Sequence, residues 1–105
     1  MATERKVKSL GAGRLKRDSS ALYIAPALTY AEVFKVTLAA SQAVTVNIYH
    51  QIGPNIYRLT PENLPIEAGG LVELTDLTLS PEEMLVGFAS VSNVVDYTVN
   101  GSEER

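Results

Sequence analysis

The sequence predicts an all-β fold: a single antiparallel β-sandwich, jelly-roll-like, of about seven strands. Two observations carry this reading, and a third limits it. Apolar and polar residues alternate over short stretches, most cleanly from Val44 to Tyr49, where Val44, Val46 and Ile48 share one face and Thr45 and Asn47 the other. Turn residues punctuate the chain at the spacing expected for an antiparallel sandwich or barrel, at Gly53-Pro54-Asn55, Pro61, Pro65, Gly69-Gly70 and Ser80-Pro81. Only the alanine-rich stretches 25–27 and 39–43 leave room for a turn of helix.

Taken in order, residues 1–20 show neither a helical stripe nor alternation, and they end in Asp18-Ser19-Ser20, a loop signature. They read as an extended arm with Val7, Leu10 and Leu15 as apolar anchors, and residues 21–105 as the sandwich domain. Leu22-Tyr23-Ile24 is a short strand ended or confined to an edge by Pro26. From Glu32 to Leu38 the alternation places Phe34, Val36 and Leu38 on one face, with Lys35 and Thr37 opposite. Ile56 to Leu59 resumes the sheet after Gly53-Pro54-Asn55, with Tyr57 and Leu59 as the inward pair. A loop carrying Asn63 and Leu64 follows. Between Leu71 and Leu79 the parity changes, since Val72 and Leu74 share one phase and Leu77 and Leu79 the other. A regular strand cannot do this, so a bulge or bend belongs at Thr75-Asp76. Ser80-Pro81-Glu82-Glu83 turns the chain into a buried strand, Met84 to Ala89, and Val95, Tyr97 and Val99 mark the last strand, closed by Asn100-Gly101.

The 105 residues carry 9 basic and 12 acidic side chains and no cysteine, which excludes disulfides, thiolate metal sites and a cysteine nucleophile. The longest apolar runs are only a few residues, too short for a membrane-spanning helix. Charge is unevenly placed. Residues 1–17 hold six basic residues against one acid, whereas residues 18–105 hold three against eleven. A basic segment ahead of an acidic body suggests contact with something outside its own fold. Arg5, Lys6, Lys8, Leu10, Arg14, Leu15, Lys16 and Arg17 are therefore the candidate partner-binding residues, with a solubilising tail as the alternative. The segment contains no aromatic residue, so stacking on bases is not supported and no direct nucleic-acid binding is expected.

No catalytic set emerges. His50 is the only histidine, no nucleophile stands at a recognisable spacing from it, and no metal or cofactor is expected. Glu82-Glu83 lacks the surroundings of a calcium loop. Gly11-Ala12-Gly13 reads as flexibility within the arm rather than a phosphate cradle, since no Gly-Lys-Ser/Thr follows. Five tyrosines supply most of the aromatic content, and Tyr30, Tyr49, His50 and Tyr57 are the candidate subunit interface.

Several patterns recur together: Ala43 to Tyr49, Tyr57-Arg58-Leu59-Thr60-Pro61-Glu62-Asn63-Leu64, Ala68-Gly69-Gly70, Leu77-Thr78-Leu79-Ser80-Pro81-Glu82-Glu83, Gly87-Phe88-Ala89-Ser90, and Val95 to Glu103. Over Tyr57 to Glu103 the chain resembles a family of small β-sandwich virion proteins of tailed bacteriophages. Where that family usually has Gly-Asp after the proline turn, this chain has Glu82-Glu83, so that turn is expected to do without a glycine at positive φ. The resemblance implies a non-enzymatic capsid decoration (cement) protein on the head exterior, made in the host cytoplasm. It also implies a homotrimer bound to the major capsid protein and not to membrane. A neck or tail accessory of the same particle is the alternative, and a receptor- or carbohydrate-binding module a third reading.

Overall fold

The structure, a computed structural model, describes residues 8–104. Its nine strands are β1 (Lys8–Arg14), β2 (Ser20–Ile24), β3 (Tyr30–Ala40), β4 (Val44–Ile52), β5 (Asn55–Arg58), β6 (Leu64–Ile66), β7 (Leu71–Leu79), β8 (Met84–Ala89) and β9 (Val95–Glu104). Two antiparallel sheets pack as a sandwich. Sheet one has the order β1-β9-β3-β7 and sheet two the order β2-β8-β4-β5, with β6 also pairing β4. No helical turn forms at 25–27 or 39–43 among the described residues.

The alternation of β4 works as the sequence requires. Val44, Val46 and Ile48 are buried, and they meet Val36, Leu38, Val95 and Val99 of sheet one in a single apolar cluster. Burying each such side chain contributes about 1.5–3 kcal/mol. Gly53, at φ +58°, and Pro54 form the two-residue connection from β4 to β5, the positive φ at the first central position suiting the twist of a hairpin.

The two strands beyond the expected seven come from segments read as irregular. Residues 8–14, read as part of a free arm, are the edge strand of sheet one, and Arg14 lies opposite Asp96 at the end of the β1–β9 ladder. Leu15, read as a docking anchor, is completely buried in the core. The Leu15 amide donates to the Val95 carbonyl and its carbonyl accepts from Asn93, so the sandwich begins well before residue 21. Gly11 and Gly13 are packing glycines, not hinges. A Cβ at Gly13 would lie 2.9 Å from the Tyr97 hydroxyl, and one at Gly11 would lie 3.0 Å from the Leu22 carbonyl oxygen of the facing sheet. The other extra strand is β6, whose three residues align with Val44 to Val46. Between β5 and β6 the chain leaves β4, and the buried Asn47 side chain replaces the missing ladder. Its Oδ1 accepts the Asn63 amide at 2.9 Å and its Nδ2 donates to Asn63 Oδ1 at 3.0 Å.

The parity change in β7 is real and lies at Asp76, whose φ is +61°. The sequence shows only half of it. Ala31 and Val33 pair with Leu79 and Leu77, and Val36 and Leu38 pair with Leu74 and Val72, so β3 switches phase opposite β7 and the register between them never slips. The extra residue of β3 is therefore absorbed against β9, where Val33 faces Gly101 and Lys35 faces Asn100. This corrects the placement of Phe34. It sits at the bulge, partly exposed, and Val33 takes the inward position. At Gly101 the strands approach so closely that a Cβ would fall 2.0 Å from the Glu32 carbonyl oxygen. Asn100-Gly101 accordingly does not close β9, which runs on to Glu104. The Ser80–Glu83 turn does without a glycine, as expected, and Glu82 itself adopts the left-handed conformation, φ +69°.

Candidate functional site

The outer faces of the two sheets differ in chemistry, and strand register lets each be read row by row. On sheet one, Arg14 pairs with Asp96, Ala12 with Thr98 and Ser9 with Asn100, while β3 adds Lys35, Thr37 and Ala39 to the same face. Ion pairs tie this surface together, Arg14 Nε to Asp96 Oδ1 at 3.0 Å and Lys35 Nζ to Glu73 Oε2 at 3.1 Å.

On sheet two, one row runs Ile24, Met84, Gln51, Ile56 across β2, β8, β4 and β5, and the next runs Ala21, Val86, Tyr49, Arg58. Ile24 and Ile56 are 53% and 56% exposed. Tyr49 stacks on Phe88 with ring centroids 6.2 Å apart, and the Arg58 guanidinium lies 5.4 Å from the Tyr49 ring centroid. Arg58 is the one formal charge in these rows. The cause is visible in β8: Met84-Leu85-Val86-Gly87-Phe88-Ala89 is apolar on both phases, a composition suited to a strand covered on both faces. Sheet one covers only one of them. The other is the candidate functional surface.

The structure disperses the residues singled out from sequence. Arg5 and Lys6 lie outside the described residues. Lys8 pairs with Glu103 at 3.2 Å, Arg14 is held by Asp96, and Lys16 donates to the side chain of Asn93. The Arg17 amide donates to Ser92 Oγ at 3.0 Å, and Leu10 packs partly buried against the core. These contacts make the described part of the segment a structural edge of the sandwich. Of the four interface candidates, only Tyr49 lies on the apolar face. Tyr30 belongs to sheet one. His50 has the inward phase of β4, with its Nε2 at 2.8 Å from Glu83 Oε1, which also accepts the Ser80 amide at 3.1 Å. Tyr57, expected to point into the core, pairs across from His50 but lies where the hairpin has run past the sandwich, and is 54% exposed.

Across the sandwich, the Tyr23 hydroxyl of β2 donates to the Glu103 carboxylate of β9. Burial foremost, then the hydrogen bond to Glu103 and its negative charge, hold that hydroxyl well above the usual tyrosine range. Among the described residues no group of three or more His, Asp or Glu side chains is arranged to hold a metal ion.

Sequence reasoning missed Ile24, Met84, Arg58 and Phe88. The available signal was the unbroken apolar run of β8, since in a two-layer sandwich a strand apolar on both phases leaves one apolar face outside. Comparisons with protein-family models, curated proteins and solved structures find no match to this chain.

Proposed function

We propose that this protein is a structural component of a tailed-bacteriophage particle, a cement subunit on the head exterior that clamps neighbouring major capsid subunits and acts as a homotrimer. The observation that carries the reading is the apolar outer face of sheet two, centred on Ile24, Met84, Tyr49 and Ile56. A surface of this kind suits a protein that works by being covered, because it gains free energy only when another surface excludes water from it. The resemblance over Tyr57 to Glu103 supplies the kind of particle, and it spans β8 and half of β5, two of the four strands that build the face. A cement role requires contact both with the shell and with other copies, and this face supplies one of the two.

The test is the copy number of the protein in purified particles, by quantitative mass spectrometry. Hundreds of copies per particle are expected of a head cement. About a dozen or fewer, the count set by a ring at a single vertex, would move the assignment to the neck or tail. Absence from the particle would overturn the reading.

A further inference from the structure

The apolar face has a complement on the same molecule. Where β3 and β7 bulge together, the outer surface of sheet one opens into a cleft lined by Glu32, Val33, Phe34, Asp76, Leu77 and Thr78. Its walls combine exposed apolar surface, from Phe34, with carboxylates at the rim. Asp76 has no cationic partner among the described residues. The sheet-two face offers the reverse combination: apolar side chains and one guanidinium, Arg58, whose recorded partner is the Tyr49 ring and hydroxyl and not a carboxylate.

We infer that the protein associates with itself head to tail, the Arg58-bearing face of one copy seating in the Phe34–Asp76 cleft of the next. A twofold pairing of two sheet-two faces would bury each Arg58 against rows that carry no carboxylate, which removes it from water without compensation there. Seating face in cleft places Arg58 opposite Asp76 and covers Ile56 with the ring of Phe34. Because the two surfaces lie on opposite sheets, each pair so formed retains one free face and one free cleft, so association continues until it closes into a ring or grows as a stack. The face is the one used in the proposed function, but the contact requires no phage particle and is tested without one.

Two variants decide it, each first shown to keep the wild-type far-UV circular dichroism and cooperative melting. Arg58→Glu spoils the face and leaves the cleft. Phe34→Lys spoils the cleft and leaves the face, and Asp76→Asn, which suits the left-handed backbone there, replaces it if Phe34→Lys does not fold. Sedimentation velocity and light scattering are run from about micromolar to millimolar concentration. Wild type is expected to assemble beyond a dimer, and each variant alone to associate about tenfold more weakly or worse. An equimolar mixture of the two should form a heterodimer that grows no further, because only one intact face and one intact cleft remain. A wild-type monomer throughout the range overturns the inference. So does a cleft variant that associates like wild type, or a mixture no larger than its components. Particle copy number is measured separately, so a protein present in hundreds of copies whose subunits meet through some other surface would refute this contact and leave the cement role standing.

Discussion

The two outer faces of this sandwich are made by strands of the same kind and differ in chemistry. On sheet one the outward phase carries Thr37, Thr98, Asn100 and the Arg14–Asp96 pair, with Leu71 exposed at its β7 edge; on sheet two it carries Ile24, Met84, Tyr49 and Phe88. The inward phases are alike, branched aliphatic residues closing a common core. Folding therefore needs only one phase of each strand, and the other phase is free to record what the surface meets. Sheet one turns mostly polar side chains outward, and sheet two mostly apolar ones.

The sharpest way to break the comparison is to remove the strand by which sheet one closes. Deleting residues 2–18 takes away β1 and Leu15 and turns β9, now central, into an edge. Loss of a fully buried leucine side chain alone costs about 2–5 kcal/mol, against a total stability of about 5–15 kcal/mol for a domain of this size. The truncated chain is expected to lack a cooperative melting transition. A truncated protein that melts like the intact one would show that sheet one does not depend on its first strand.

A smaller effect is expected at the paired bulge. Gly101→Ala places a methyl group against the Glu32 carbonyl oxygen, and the approach is too close for side-chain adjustment to relieve. A loss of about 1–3 kcal/mol is expected, measured by urea denaturation. An unchanged denaturation midpoint would mean that β3 and β9 separate easily at that point, and that the cleft beside them is not rigid.

The outer faces themselves can be compared with matched surface changes. Ile24→Ser with Ile56→Ser alters exposed positions on sheet two, where each change should shift stability by no more than about 0.5 kcal/mol. Association should nonetheless fall steeply. Arg14→Ala, on sheet one, removes an ion pair whose two side chains are 65% and 68% exposed, so it should cost about 0.2–1 kcal/mol and leave association unchanged. Light scattering and calorimetry on the two variants make the comparison. If Arg14→Ala abolishes association as well, the division between the faces fails.

Much of this architecture was legible in the sequence, and the misses share a cause. The alternation of Val44, Val46 and Ile48 and the parity change before Leu77 are local patterns, and they located strands and a bulge correctly. The role of β1 was hidden because Gly11 and Gly13 resemble linker residues, although what they accommodate is Tyr97 and the backbone at Leu22, far away in sequence. Phe34 was misplaced for the same reason, since nothing within β3 reveals that its phase must switch with that of β7. The apolar face was half visible in the run Met84 to Ala89. Recognising Ile24 and Ile56 as its neighbours required the register of four strands.

The finest comparison concerns the link between the sheets, where Tyr23 of sheet two donates to Glu103 of sheet one. The folded protein holds the Tyr23 proton more tightly than the unfolded chain does, because burial and the neighbouring carboxylate both disfavour a phenolate. Below the unfolded tyrosine pKa of about 10, both states carry the proton and this residue gives stability no pH dependence. Above it, the unfolded chain releases the proton first, so the folded state binds more protons and stability falls as pH rises. Tyr23→Phe should thus lower stability modestly at neutral pH, through loss of the hydrogen bond, while flattening the decline between about pH 10 and 11. Urea midpoints measured for both proteins from neutral pH upward give the two slopes. Equal slopes would mean that the hydroxyl is not held between the sheets, and that the outer faces move more independently than this link implies.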